Sequence, residues 1–139
     1  MKLRILIFDD DVEIRELLQT ALGSKGHEVT VLSDPTEFSF FNKSSCPCSA
    51  DNPCADILIA DIVMPNVDGI EFYKNLKEGG CYPLMNGNVA IMSGYLTIHY
   101  MNELNNLNIH YFRKPFLMSE IYEWIDQCQA RIEASTATS

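Results

Sequence analysis

The sequence predicts an α/β domain built on a doubly wound parallel sheet, and three observations carry that prediction. Five short apolar runs alternate with segments of helical character along the chain. The central run, Asp56-Ile57-Leu58-Ile59-Ala60-Asp61, is apolar at successive positions, as a strand covered on both faces must be. Several runs end on residues suited to chemistry: Asp9-Asp10-Asp11, Asp61, Ser93 and Lys114. Parallel strands joined by right-handed crossovers bring their carboxyl ends to one rim. In open α/β sheets, ligands collect at that rim.

Taken in order, residues 3–8 form a first strand that ends on the three aspartates. A helix follows, with Ile14, Leu17, Leu18, Ala21 and Leu22 at helical spacing and Gly23 and Gly26 to end it. Asp11 has the plainer reading of a turn residue or a cap of that helix. Residues 28–32 are a weaker strand, suited to an edge. Asp34-Pro35-Thr36-Glu37 has the pattern of a helix start, with Asp34 as N-cap and Glu37 as its capping-box partner. Residues 42–55, rich in Ser, Pro and Cys, then break the alternation as a long loop. The central strand follows and ends on Asp61. Asp68-Gly69-Ile70-Glu71 repeats the capping-box spacing and opens a helix that runs to Gly79-Gly80. Residues 88–92 form a fourth strand ending on Ser93, residues 97–107 a helix, and residues 109–112 a fifth strand ending on Arg113-Lys114-Pro115. The last helix carries Leu117, Ile121, Trp124, Ile125, Cys128 and Ile132 on one face. A Ser/Thr/Ala tail is expected from residue 134. One domain, residues 1–134, is expected, with residues 135–139 a disordered tail or the start of a linker.

The totals narrow the possible functions. A chain of 139 residues that is 47% hydrophobic has enough apolar material for a packed core. Its net charge of −9 and pI of about 4.6 argue against direct contact with nucleic acid or an anionic membrane. No apolar run approaches the roughly 20 residues of a membrane span. Arg4 interrupts the first apolar segment, which is too short for a signal peptide. The expected location is cytoplasmic.

The rim residues allow a definite chemistry. Two carboxylates about 4 Å apart repel by on the order of 4 kcal/mol at intermediate screening. A hard divalent cation relieves that repulsion. Magnesium suits the site, because it takes one or two carboxylates together with phosphate oxygens. With magnesium held by Asp10 and Asp61, Asp61 could attack phosphorus as a carboxylate nucleophile. Lys114 would supply positive charge to the phosphoryl oxygens and Ser93 a hydrogen bond. Each residue alone has a plainer reading, as a cap or a turn. Their arrival from four separate strand ends favours the joint reading.

The stretches Ile5-Leu6-Ile7-Phe8-Asp9-Asp10-Asp11, residues 56–69 with Met64-Pro65 and Asp68-Gly69, Ile91-Met92-Ser93-Gly94-Tyr95, and Tyr111-Phe112-Arg113-Lys114-Pro115-Phe116 together resemble the response-regulator receiver domain of two-component signalling. The resemblance covers residues 3 to about 133. It implies a flavodoxin-like (βα)5 fold with strand order 2-1-3-4-5. It implies that Asp61 accepts a phosphoryl group from a histidine kinase or histidine phosphotransfer protein. Asp10 would bind magnesium directly, Asp9 mainly through water, and the Val63 carbonyl would be a further ligand. Ser93 and Tyr111 would be the switch pair, Lys114 the phosphate-contacting lysine, and the Lys114–Pro115 bond cis. The surface of the fourth helix, fifth strand and fifth helix would bind a downstream protein. Apart from its own phosphorylation and dephosphorylation, the domain would not be an enzyme. The alternatives are a docking receiver that is not phosphorylated and a haloacid-dehalogenase-like phosphohydrolase. The second fails on pattern, since Asp9-x-Asp11 is followed by Val12-Glu13 rather than x-Thr or x-Val.

The Cys-rich loop departs from that resemblance. Cys46, Cys48 and Cys54 lie in it, and Cys81 follows the third helix. Both segments belong to the rim opposite Asp61. Four converging thiolates would suit a structural zinc ion. A disulfide or redox pair and unlinked thiols are the other readings. His27 follows a glycine turn, His99 lies on a helix and His110 starts a buried strand; none pairs with a candidate nucleophile, and all three are read as structural.

Overall fold

A computed structural model describes residues 2–33, 55–61, 63–64, 67–78 and 82–137. The helix expected from Asp34 and all four cysteines of the proposed metal or disulfide group lie outside these residues. The elements in chain order are β1 (Arg4–Phe8), α1 (Val12–Ser24), β2 (Glu28–Leu32), β3 (Ile57–Asp61), β4 (Val63–Met64), β5 (Val67–Asp68), α2 (Gly69–Glu78), α3 (Tyr82–Met85), β6 (Val89–Ser93), α4 (Ile98–Asn106), β7 (His110–Arg113) and α5 (Met118–Ala137). Five strands form one parallel sheet in the order β2-β1-β3-β6-β7. Numbered among themselves, these strands stand 2-1-3-4-5, as the resemblance implies. The pair β4 and β5 is a separate antiparallel ribbon just past Asp61, and the pattern did not foretell it.

The period-2 alternation of a strand divides the core into two layers. Leu6, Phe8, Leu58, Ala60, Val89 and Ile91 face one side, where Ile70, Tyr73, Leu84 and Leu104 close over them. Ile5, Ile7, Ile57, Ile59, Ala90 and Met92 face the other, under Leu18, Leu22, Ile121, Trp124 and Ile125. Every residue of β3 is buried, which is why that strand is apolar throughout. β2 is only half-covered, as befits an edge.

Several boundaries differ from expectation. Gly23 lies inside α1, and the chain leaves the helix at Gly26, whose φ of 91° suits glycine. Leu17 is 45% exposed. At about 100° per residue it sits some 120° from the buried line of Leu18 and Leu22, past the edge of the covered stripe. Leu117 is 67% exposed and precedes α5 rather than packing from within it. It forms a reciprocal cap there: its N–H donates to Glu120 Oε1 (3.2 Å), and the Glu120 N–H donates to its carbonyl (3.0 Å). His110, expected in a buried strand, is exposed at the edge and stacks on Trp124. α5 continues through residues 134–137, where the tail was expected to begin. Once a helix is running, each added residue needs no new nucleus, and Ala134 and Ala137 are strong helix formers.

The first strand is tied down at its start. The Leu3 N–H donates to His27 Nδ1 (3.2 Å), and the Arg4 N–H donates to Asp56 Oδ2 (2.8 Å). Burial lowers the pKa of His27, so the folded state favours the neutral ring that accepts this bond. The unfolded chain then binds the proton more readily near the usual imidazole value. Stability from this group is complete above that value and is lost as pH falls through the lowered folded one. His27→Gln, which keeps an acceptor but cannot titrate, should show a smaller loss by urea unfolding between about pH 7.5 and about pH 5.5, a span that brackets imidazole titration. Ile59→Ala, in the middle of β3, should cost about 3 kcal/mol by the same measurement, because the cavity lies in a fully covered strand.

Candidate functional site

Strand register brings the rim residues together. Phe8 pairs with Ala60, so Asp9 and Asp61 are the next residues on neighbouring strands. Asp61 pairs with Met92, one residue before Ser93, and Ser93 pairs with Arg113, one residue before Lys114. Four positions far apart in sequence therefore meet along one edge, with adjacent strands about 4.8 Å apart.

Lys114 Nζ donates to Asp9 Oδ2 and to Asp61 Oδ2, each at 2.8 Å. Asp9 is fully buried, and its other oxygen accepts the Asp11 N–H (2.9 Å). Burial raises the pKa of Asp9, and the Lys114 bond offsets this only in part. For Lys114, burial works against the ammonium, but the bonds it donates to Asp61 and Asp9 outweigh this and the pKa rises. Asp61 is 8% exposed, so its carboxylate lies just beneath the surface. Asp10 is exposed beside them.

Carboxylate oxygens of Asp9, Asp10 and Asp61 lie within 4.8 Å of one another. Two ligands of one octahedral magnesium stand roughly 3–4 Å apart, so small side-chain rotations bring these oxygens into range. The donor set is all oxygen, which fits a hard cation. Asp11 supplies no ligand in this grouping. Its Oδ1 accepts the Glu13 N–H (2.9 Å) and caps α1.

Ser93 is buried, and its Oγ accepts the Tyr95 N–H (3.0 Å), leaving its own O–H available to donate. The Ser93 carbonyl accepts the Lys114 N–H (2.9 Å), which joins the two strand ends. Tyr111 is half-buried, packed against the layer that includes Leu104 and Ile91. Val63 lies in β4, opposite Asp68. The Lys114–Pro115 peptide is cis. The sequence reading missed Arg15, whose Nη1 donates to the Asp9 carbonyl (2.7 Å) and braces the acidic turn. An arginine one turn into a helix carries no pattern that would have marked it.

A family model described as the response regulator receiver domain matches residues 5–126. The response regulator MprA of Mycobacterium tuberculosis is 34% identical over 80 residues, which is 58% of this chain and 31% of that protein. The matched segment thus spans about a third of the length of such relatives. Among solved structures, the chemotaxis response regulator CheY4 of Vibrio cholerae superposes with a TM-score of 0.71 at 20% identity, covering 92% of this chain and 99% of that one. The receiver domain of the Francisella response regulator 1452 gives 0.72 at 24% identity, covering 96% and 99%. At these identities the likeness is one of fold.

The Lys114 ammonium and a divalent cation compete for the same carboxylates. Lys114→Ala should destabilise the metal-free protein by about 3 kcal/mol, because it leaves buried Asp9 without its partner. It should also gain more from added magnesium than the wild type does. Thermal unfolding with and without magnesium checks both; equal increments in the two proteins would refute the competition.

Proposed function

The chain belongs to the response regulator receiver domain family of two-component systems, and from that membership we propose that it is a phosphoacceptor switch. The observation that carries the reading is the grouping of the Asp9, Asp10 and Asp61 carboxylates, with Lys114 bonded to Asp9 and Asp61. In the reaction, an Asp61 oxygen attacks phosphorus while the bond to the imidazole nitrogen of a histidine kinase or phosphotransfer protein breaks, giving an aspartyl phosphate and a free histidine. Asp9, Asp10, Asp61 and the Val63 carbonyl would hold magnesium, which when bound neutralises charge on the phosphoryl oxygens. Lys114 turns its ammonium from the Asp61 carboxylate to the new phosphoryl oxygens, and Ser93 donates its free O–H to another.

Phosphorylation adds charge and acceptor oxygens at the buried end of β3. Movement of Ser93 toward them frees space beside Tyr111, which lies on the same face. The surface of α4, β7 and α5 then shifts between two packings and binds a different protein partner. The domain's own chemistry is confined to gaining and losing one phosphoryl group, and it turns over no external phosphate ester. Among the described residues no helix is long and apolar enough to cross a membrane, which supports work in the cytoplasm beside a kinase's catalytic region.

Incubation with acetyl phosphate and magnesium should give a single phosphoryl adduct by intact mass, absent from Asp61→Asn. An unmodified wild type under conditions where magnesium binding is demonstrated would leave the docking reading in its place.

A further inference from the structure

One side chain spans the turn that carries the acidic pair. Asp9, Asp10 and Asp11 join the end of β1 to the start of α1. Arg15 lies one turn into that helix, half-buried, and meets the turn twice. Its backbone N–H donates to the Asp11 carbonyl (3.1 Å). Its Nη1 donates to the Asp9 carbonyl (2.7 Å). The residue between those two carbonyls is Asp10.

The Asp9 carbonyl belongs to the planar peptide that links Asp9 to Asp10. A bond that pins this plane therefore restricts the direction in which the Asp10 side chain leaves the backbone. The three grouped carboxylates differ in what aims them. Asp9 is held by Lys114 and the Asp11 N–H, and Asp61 by Lys114. Asp10 is exposed, and among the described residues no ion pair holds its carboxylate. Its placement within 4.8 Å of the other two oxygens rests on its backbone.

Two effects of Arg15 on a divalent cation oppose each other. Its positive charge repels the ion. Its hydrogen bond pre-organises a ligand for it. Charge is screened by solvent around a half-buried side chain, whereas a short charge-assisted bond fixes geometry directly. We infer that Arg15 is a positioning residue of the acidic site: by fixing the Asp9–Asp10 peptide it aims the Asp10 carboxylate and raises affinity for magnesium. The inference rests on the magnesium reading of Asp9, Asp10 and Asp61. The positioning effect exceeds the repulsion, so removing this cation weakens the binding of another.

The test is an NMR titration of labelled protein with magnesium chloride, following the Asp10 and Asp61 backbone amides in the wild type, Arg15→Gln, Arg15→Met and Arg15→Lys. Gln and Met rank close to Arg as helix formers, so α1 is kept. Met carries no donor, and the Gln stem is too short to reach as Arg does. The magnesium dissociation constant should rise about tenfold in both, the lower range for partners that orient a ligand. Arg15→Lys keeps the charge and one donor and should fall between them and the wild type. With acetyl phosphate, half-saturating magnesium should rise in parallel, while the rate at saturating magnesium stays within about twofold. Tighter binding in Gln and Met would show that only the charge acts, and unchanged binding that the bond is merely structural; either overturns the inference. A wild type that saturates with magnesium but gains no phosphoryl group would defeat the phosphoacceptor reading and leave this comparison intact. A wild type that shows no saturation would overturn both.

Discussion

One ammonium group shared by two carboxylates sets the terms for this domain. Asp9 is buried at the end of β1 and Asp61 lies nearly as deep at the end of β3. Side by side in a poorly solvated place, two ionised carboxylates repel strongly. Lys114 bridges them from a third strand, its Nζ at 2.8 Å from each. Folding therefore assembles an acidic site with its counter-charge included. The same arrangement makes the site responsive, because any cation or phosphoryl group that enters must renegotiate those two bonds.

The sheet is what makes so compact a charge cluster affordable. Its central strands are covered on both faces by separate apolar layers, so their ends are held by packing rather than by the site itself. Asp9 is further fixed by the Asp11 N–H, the Arg15 guanidinium on its carbonyl, and a bond from its own N–H to the Leu32 carbonyl. Asp10 is left exposed, and among the described residues no such set of bonds holds it. The contrast supports a division of labour in which one carboxylate is structural in its surroundings and its neighbour is open to an incoming ion.

The two ends of β6 have opposite electrostatic character. At the carboxyl end, Ser93 stands on the rim that also carries Asp9, Asp10, Asp61 and Lys114. At the amino end, Asn88 adjoins an arginine that meets no carboxylate among the described residues. The bonds of this Arg131 to Gly87, Asn88 and Cys128 tie α5 to the turn before β6, so the last helix is joined to the sheet at that end by polar contacts as well as by its apolar face.

By itself the sequence determined the alternation of strands and helices, the apolar faces of β1, β3 and β6, and the polar residues that close each strand. These are local properties, written in the spacing of apolar side chains and in residues such as Asp11, which caps α1. Leu17, Leu117 and His110 were misplaced because period alone does not say where the covered stripe ends or which strand lies at an edge. The β4–β5 ribbon and the continuation of α5 into residues 134–137 were illegible for a related reason: short pairings and helix ends depend on neighbours rather than on composition. Only the tertiary structure decided that Asp9, Asp61 and Lys114 share bonds, that Arg15 braces the acidic turn, and that Arg131 bonds the Asn88 side chain. Each of these joins residues distant along the chain, and their separation is set by strand register and helix docking, quantities that no local pattern contains.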